Sequence, residues 1–292
     1  MAQNAFLEAL NSGRVLVADG ATGSNLQARG LAQGMASEQW IIENPAAVMQ
    51  LHRDFILAGS DLILTSTFGG TSLRLEHCGL QDRTAEVNRR AAELARQAVN
   101  GKVVLVGGSM GPTGHLFEPL GPLSRAAAVA AYAVQAQGLA EGGADVLVIE
   151  TMFDMAEATA AIEGARARTS LPIVCCFSYD MGAATMMGLR PAQVAQELTA
   201  LGVDVIGVNC GKSLVDNLTA LQAVRAATDK PIWMKPNAGL PRMGADDKAV
   251  YDVTPEEMGA QARLWVQAGA RVIGGCCGTT PERLREIAKA AR

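Results

Sequence analysis

Two adjacent cysteines, Cys276 and Cys277, lie between glycines within residues 274–281, near the C-terminal end of the sequence. Neighbouring residues on a strand point to opposite faces, so both sulfurs can reach one ion or one substrate only where the strand ends and the backbone turns. The glycines allow this turn, and Thr280 followed by Pro281 is typical of a helix N-cap and first helical position. The stretch therefore predicts a metal-binding or redox-active thiol pair at a strand-to-helix corner.

A third thiol, Cys210, ends an apolar run at residues 203–210. Three thiolates with one vacant coordination position suit a catalytic zinc ion, and thiolates favour zinc over magnesium or calcium. A substrate thiol at the vacant position would be deprotonated yet nucleophilic, which predicts attack on an alkyl group. The alternative for Cys210 is a buried cysteine that acts as a small apolar residue. We prefer that alternative for Cys175 and Cys176, an adjacent pair inside an apolar run without flanking glycines.

Polar residues end several other apolar runs. Asp19 and Glu150 are candidates to accept hydrogen bonds from a substrate ammonium group, although a strand-end Asp often caps its own turn and a lone Glu is often ion-paired. A substrate carboxylate could bind successive backbone N–H groups in the turn after Asp19, which form an anion-binding nest. These groups belong to Gly20, Ala21, Thr22, Gly23 and Ser24. Together they would hold the head of an α-amino acid.

The elements that must position these residues alternate regularly along the chain. Eight strand-like apolar runs are separated by helix-like segments rich in strong helix formers; the runs comprise residues 15–18, 61–68, 103–106, 145–150, 172–177, 203–210, 231–235 and 271–275. Near-continuous aliphatic strands are typical of a parallel sheet covered on both faces. We therefore predict an α/β fold, a single (β/α)8 TIM barrel over residues 1–292. A doubly wound open sheet is the alternative.

A barrel carries its active site at the C-terminal ends of its strands. The predicted barrel therefore brings one set of residues to a common rim: Asp19, Glu150, Asn209, Cys210, Cys276 and Cys277. Residues 107–123 and 237–252 form the loops long enough to act as lids. His52 falls inside the first amphipathic helix, and we interpret it as structural.

Composition limits the partners. The formal net charge is -4 and no basic run occurs, which argues against nucleic acid or an anionic membrane surface as a partner. No apolar run approaches the roughly 18 residues of a membrane helix, and the N-terminus does not resemble a secretory signal. The six cysteines occur as two adjacent pairs and two single residues, a poor disulfide layout that favours a reducing compartment. We expect a cytoplasmic protein that acts on a small ligand.

Four motifs resemble those of the homocysteine S-methyltransferase family and occur in the order found there. They are DGATGS at 19–24, ET at 150–151, VNC at 208–210 and GGCCGTTPE at 274–282. GPTG at 111–114 and PNAGLP at 236–241 look particularly like the homocysteine-binding module of cobalamin-dependent methionine synthases. The resemblance covers nearly the whole chain and implies the same (β/α)8 barrel.

The resemblance also implies roles for individual residues. Zinc would be bound by Cys210, Cys276 and Cys277, and the homocysteine amino group by Asp19 and Glu150. The turn after Asp19 would bind the homocysteine carboxylate, and Asn209 is assigned to the same substrate site by its motif. The implied reaction is zinc-dependent transfer of a methyl group to homocysteine, which gives methionine.

The methyl donor is less well defined. Betaine-using relatives carry an aromatic residue directly after the strand-four Glu, where this chain has Thr151. An aromatic content of 4% also offers few rings for cation–π contacts with a quaternary ammonium. No Asp-x-His-x-x-Gly cobalamin-binding stretch occurs, so a methylcorrinoid donor is expected on a separate protein that docks over the rim. Betaine, S-methylmethionine or another sulfonium is the alternative donor.

Two other functions remain as hypotheses. Lys235 ends the seventh strand-like run, and amine nucleophiles on barrel rims form Schiff bases in aldolases. A non-catalytic subunit that only presents homocysteine to a partner is the second hypothesis.

Overall fold

Strands and helices alternate throughout residues 4–244 and 249–292, the part of the chain that the computed structural model describes. The strands are β1 (Leu16–Val17), β2 (Leu62–Leu64), β3 (Leu105–Met110), β4 (Val146–Met152), β5 (Ile173–Phe177), β6 (Val205–Cys210), β7 (Ile232–Pro236), β8 (Pro241–Met243), β9 (Ala249–Tyr251) and β10 (Ala270–Ile273).

The α-helices are α1 (Ala5–Asn11), α2 (Gly23–Ala28), α3 (Trp40–Glu43), α4 (Pro45–Ala58), α5 (Ser72–Leu75), α6 (Thr84–Val99), α7 (Arg125–Glu141), α8 (Met155–Arg166), α9 (Pro191–Ala200), α10 (Leu214–Ala227), α11 (Pro255–Gln267) and α12 (Pro281–Ala290). Short 3-10 helices span Ser37–Gln39, Glu76–Cys78 and Gln81–Arg83. No helix in the described ranges is both long and apolar enough to cross a membrane.

Eight parallel strands form one sheet in the order β1-β10-β7-β6-β5-β4-β3-β2. The two edge strands meet through a parallel bridge between Ala18 and Leu62, and the Asp61 N–H donates to the Val17 carbonyl at 2.7 Å. The sheet is thus a nearly closed barrel with helices around it. The predicted (β/α)8 barrel is confirmed, and the open-sheet alternative is wrong.

Two apolar layers hold the barrel together. The inner layer fills the space between the strands, and Phe6 and Leu10 of α1 pack into it from the N-terminal end of the barrel. The outer layer lies between strands and helices. Cys176 belongs to the inner layer and Cys175 to the outer one, and both are fully buried. Their predicted role as core residues is confirmed.

Aspartates at the N-terminal strand ends satisfy backbone donors of neighbouring strands. Asp61, Asp145 and Asp204 accept hydrogen bonds from the N–H groups of Val17, Val106 and Ile173 respectively, at 2.7–2.9 Å. An unpaired buried N–H group would cost about 1–3 kcal/mol. These contacts stabilise the end of the barrel opposite to the predicted rim.

Strand β3 differs from its predicted position. The sequence run begins at Val103, but this side chain is 95% exposed, and the strand continues through Gly107 and Gly108 to Met110. A Cβ at Gly107 would lie 2.7 Å from Leu64 Cδ2. Packing therefore requires glycine at these two positions inside the strand, and the glycines do not mark the end of the strand.

The predicted lid at residues 237–252 contains an antiparallel hairpin of β8 and β9, in which Pro241 pairs with Tyr251. Residues 245–248 of this lid lie outside the described residues. The sequence did not predict the hairpin, because Pro241–Met243 is exposed and lacks the aliphatic run by which the barrel strands were recognised.

His52 gives the fold a specific pH dependence. Its side chain is 1% exposed in α4, and burial lowers its pKa from 6.5 to about 4. The unfolded chain therefore binds a proton that the folded chain excludes, so the free energy of unfolding falls as the pH drops from about 6.5 towards about 4. At ~1.4 kcal/mol per pKa unit, the loss attributable to His52 approaches about 3 kcal/mol.

The variant His52→Leu removes this titration. The free energy of unfolding of both proteins is measured by urea unfolding at pH 7 and at pH 4. Between these pH values the wild-type protein should lose about 3 kcal/mol more than the variant does. Parallel stability curves would contradict a buried, neutral His52.

Candidate active site

A cavity of about 230 Å³ opens at the C-terminal ends of the strands. It is lined by the turn at residues 20–24, here called the β1 turn, by residues at strand ends and by all three predicted metal ligands. The lining residues are Gly20, Ala21, Thr22, Gly23, Ser24, Ser37, Leu64, Thr65, Ser66, Phe68, Ser109, Glu150, Thr151, Cys210, Lys235, Cys276 and Cys277. A larger groove of about 460 Å³ runs along the outer helices α4 and α6, but no thiol lines it. Two predicted substrate residues, Asp19 and Asn209, are not among the residues that line the cavity.

Three sulfur atoms come together at the cavity wall. The Sγ atoms of Cys210, Cys276 and Cys277 all lie within 4.8 Å of one another. Cys210 is the last residue of β6, and the other two follow β10. Among the described residues this is the one cluster of three or more His, Cys, Asp or Glu ligand atoms at such spacing. The soft donor set and its spacing fit a zinc ion.

Cys210, Cys276 and Cys277 with their adjoining backbone are here called the thiol corner. Hydrogen bonds of Asn237 hold it together. The Asn237 Oδ1 accepts a hydrogen bond from the Cys277 N–H at 2.9 Å, and its Nδ2 donates to the Gly211 carbonyl at 2.8 Å. Its own N–H donates to the Cys210 carbonyl at 3.1 Å. One side chain thus links the β6 end to the segment after β10. Asn237 was not predicted as a site residue, although it is a polar residue just beyond β7, the strand between β6 and β10 in the sheet.

The three thiols affect one another's pKa. Hydrogen bonds from Cys210 and Cys277 lower the pKa of Cys276 well below its ordinary value, although burial acts in the opposite direction. Contacts with Cys276 and Cys277 raise the pKa of Cys210. The cluster therefore loses protons as one group rather than as three independent thiols.

Glu150 lies on the cavity wall at the C-terminal part of β4 and is 6% exposed. Its Oε1 accepts a hydrogen bond from Ser109 Oγ at 2.6 Å, and its Oε2 lies 3.4 Å from Asn209 Nδ2. Burial raises the pKa of Glu150 to about 7, with Lys235 acting in the opposite direction. The carboxylate remains open to a donor from the cavity.

Asn209 stands behind this wall and braces it. Its Oδ1 accepts from the Thr151 N–H at 2.8 Å, and its Nδ2 donates to Thr151 Oγ1 at 2.7 Å. Thr151 has a φ of 63°, a left-handed conformation that costs a non-glycine residue of order 1 kcal/mol or more. Asn209 thus holds a strained residue next to Glu150. Asn209 is fully buried, and its contacts with Thr151 and Glu150 connect it to the cavity wall.

Asp19 forms a buried ion pair with Lys235. Lys235 Nζ lies 3.1 Å from Asp19 Oδ1 and donates to the Gly20 carbonyl at 3.2 Å, and both side chains are at most 4% exposed. The other Asp19 oxygen accepts from the Leu64 N–H at 2.8 Å. Burial alone lowers the pKa of Lys235, but the negative charges of Asp19 and Glu150 raise it overall above its ordinary value. Lys235, and not Asp19, is thus the member of the pair that faces the cavity.

The β8–β9 hairpin reaches the thiol corner through Tyr251. A Cβ at Gly278, whose φ is +77°, would lie 2.2 Å from Tyr251 Cγ, so the ring packs directly on this glycine. Arg283 of α12 fixes the base of the hairpin, because its guanidinium donates to the carbonyls of Tyr251, Val253 and Gly278 at 2.7–3.2 Å. Tyr251 was not predicted as a site residue.

Comparison with known proteins identifies relatives along the whole chain. A family model described as homocysteine S-methyltransferase matches residues 16–291. A methionine synthase from Mycobacterium tuberculosis (strain ATCC 25618 / H37Rv) is 32% identical over 296 residues, which cover 96% of this chain and 25% of the relative. A methionine synthase from Mycobacterium leprae (strain TN) is 31% identical over 294 residues, covering 95% of this chain and 24% of the relative. The chain thus spans about a quarter of the length of these two proteins.

A solved structure with a similar fold is the metallated form of the homocysteine methyltransferase MmuM from Escherichia coli. It superposes with a TM-score of 0.84 and 25% sequence identity, covering 98% of this chain and 99% of that one. The two chains therefore share the barrel fold over nearly their whole lengths.

Replacement of Gly278 tests the packing of the hairpin on the thiol corner. Gly278→Ala should displace the Tyr251 ring and destabilise the protein by more than about 2 kcal/mol, because a steric clash adds to the left-handed backbone. The thiols of the metal-free protein should also react several-fold faster with Ellman's reagent.

Gly188→Ala is the matched control. Its φ is +80°, and no atom lies within 4 Å of the added Cβ, so it should lose only the roughly 1 kcal/mol of backbone strain. Equal thiol reactivity in both variants would show that Tyr251 does not shield the corner.

Proposed function

Because the chain belongs to the homocysteine S-methyltransferase family, we propose that it transfers a methyl group to the sulfur of homocysteine and forms methionine. Two relatives named methionine synthase support this product. Since the chain spans only about a quarter of their length, the activity of those whole proteins comes to this chain as a proposal.

The observation that carries the proposal is the group of three sulfurs within 4.8 Å of one another on the wall of a cavity that also contains Glu150. We propose that Cys210, Cys276 and Cys277 hold a zinc ion. A zinc ion bound there would keep the homocysteine thiol deprotonated at neutral pH. Six unpaired cysteines also suit the reducing, cytoplasmic setting expected from the sequence.

The remaining cavity groups suit the head of an α-amino acid. Glu150 can accept hydrogen bonds from the substrate ammonium, and the backbone of the turn after Asp19 lines the space for the carboxylate. Anchoring the head in this way would direct the substrate sulfur towards the thiol corner. Holding the reacting atoms in one geometry accounts for a large part of the rate of a two-substrate reaction.

Methyl transfer then needs no acid or base from this chain at the reacting carbon. An electron pair of the homocysteine sulfur forms the new S–CH₃ bond as the bond between the methyl group and the donor breaks, with that bond's electron pair leaving on the donor. The thiol proton has already passed to solvent.

The loops around the rim support a protein as the carrier of the donor. Of the fourteen large apolar side chains exposed in the described residues, nine lie in the loops that follow β2, β3, β5 and β7 or in the β8–β9 hairpin. These nine, here called the rim group, are Phe68, Leu116, Leu120, Met181, Met186, Met187, Leu240, Met243 and Val250. Clustered exposed apolar side chains are typical of interaction surfaces. We propose a separate corrinoid protein as the methyl donor.

The alternative donors are less well supported. Phe68 is the one aromatic residue among those that line the cavity, whereas recognition of a quaternary ammonium such as betaine generally uses an aromatic cage.

The Schiff-base aldolase hypothesis is disfavoured because Lys235 is buried and ion-paired with its pKa raised, and a nucleophilic lysine needs a lowered pKa.

The metal proposal is tested by Cys276→Ala. Wild-type protein should bind about one zinc per chain, and the variant should lose zinc affinity and methyl transfer by at least about 100-fold each, because it lacks a ligand. Zinc is measured by mass spectrometry of the purified protein and activity by methionine formation.

Cys78→Ala serves as the control, because Cys78 lies outside the sulfur cluster and its substitution should leave both quantities unchanged. Full activity of a metal-free preparation would contradict the zinc proposal.

The donor proposal is tested by following methionine formation from homocysteine with several donors. We expect activity with a methylated corrinoid protein and none with betaine or S-methylmethionine alone. The double variant Met181→Glu/Met186→Glu should raise the KM for the corrinoid protein about tenfold or more, as expected for charges introduced at an apolar interface.

Leu57→Glu is the matched control, since Leu57 is similarly exposed but lies on α4, away from the rim. Efficient transfer from a small donor without added protein would refute both the corrinoid proposal and the hypothesis of a non-catalytic presenting subunit.

A further inference from the structure

Lys235 has an unused hydrogen-bond donor at the cavity wall. Its ammonium group carries three N–H bonds. One of them donates to the Gly20 carbonyl at 3.2 Å, and the ion pair that places Nζ 3.1 Å from Asp19 Oδ1 engages at most one more. Lys235 itself lines the cavity. The remaining N–H bond is therefore available to an acceptor on a ligand.

Asp19 fixes this ammonium group but does not itself reach the ligand. Its side chain is 1% exposed and lies outside the cavity lining, with one oxygen facing Lys235 and the other bonded to the Leu64 N–H. Asp19 therefore has no direct contact with the cavity, and it affects a ligand there by positioning the ammonium group of Lys235. Glu150, in contrast, lines the cavity directly.

The cavity wall thus carries one cationic and one anionic group. The contact between Lys235 Nζ and the Gly20 carbonyl also puts the ammonium group against the β1 turn, whose backbone lines the same space. A carboxylate bound on this turn would lie beside Lys235, with the carboxylate of Glu150 left for an ammonium group.

We propose that Lys235 binds the carboxylate of the α-amino acid substrate while Glu150 binds its ammonium group. This assignment rests on the proposed function, and it makes Lys235 a specificity-determining residue for zwitterionic thiols. Asp19 is then a positioning residue that acts through Lys235.

The experiment compares three thiols that differ only in their charged groups. L-homocysteine carries both groups, 3-aminopropane-1-thiol lacks the carboxylate, and 4-mercaptobutanoate lacks the amine. Dissociation constants are measured by calorimetry on the zinc-loaded full chain for wild type, Lys235→Met and Asp19→Asn/Lys235→Met. The double variant keeps the net charge of the cluster and removes both partners of the Asp19–Lys235 ion pair together, so neither is left unpaired and the variant should fold even if the single variant does not.

In the double variant, L-homocysteine and 4-mercaptobutanoate should bind about 10- to 100-fold more weakly, the usual effect of losing one charge-assisted hydrogen bond. 3-Aminopropane-1-thiol should change less than about threefold. Lys235→Arg, which keeps a cation, should retain the preference for L-homocysteine.

Equal loss of affinity for all three thiols, or unchanged binding of L-homocysteine, would overturn the assignment of Lys235. Failure of the wild-type protein to bind L-homocysteine would instead refute the proposed function, so the two failures are distinguishable.

Discussion

Asp19 accepts a hydrogen bond from the Leu64 N–H on β2 and forms an ion pair with Lys235 on β7. The first contact continues the junction between β1 and β2, which a bridge, a backbone hydrogen bond and the hydrogen bond from the Val17 N–H to Asp61 also link. The second neutralises a charge at the wall of the cavity. Removal of this carboxylate would leave a buried ammonium unpaired, a change that typically costs about 3–5 kcal/mol. One side chain therefore contributes both to the closure of the barrel and to the polarity of its cavity.

The thiol corner also depends on a small number of contacts. Asn237 joins the end of β6 to the segment after β10, and Gly278 leaves room for the Tyr251 ring on the outer side of that segment. Cys210 itself has a φ of 60°, an uncommon conformation for a residue with a Cβ atom. The three sulfurs converge because the hydrogen bonds of Asn237 fix two strand ends relative to each other, and metal and catalytic sites require this kind of positioning.

Sequence periodicity predicted the barrel and the meeting of the sulfurs because both follow from one rule: in a parallel barrel, strand ends share a rim. It could not predict which side chains face the cavity. Asp19 and Lys235 both end strands. Only the lengths of their side chains and the ion pair between them determine that Lys235, and not Asp19, lines the cavity. Val103 was included in a strand because it is apolar, yet packing leaves it exposed. Tyr251 was missed because its contact depends on a hairpin that no local pattern predicted.

The filled interior of the barrel has a kinetic consequence. Phe6 and Leu10 close the N-terminal end, and the inner apolar layer fills the space above them, so ligands enter and leave the cavity through the rim. If a protein carrying the methyl group covers that rim, it also covers this route for the amino acid. The two substrates must then bind in a fixed order, with homocysteine first, and methionine must leave last. With a protein as the methyl donor, the filled barrel would therefore impose an ordered sequential mechanism on methyl transfer.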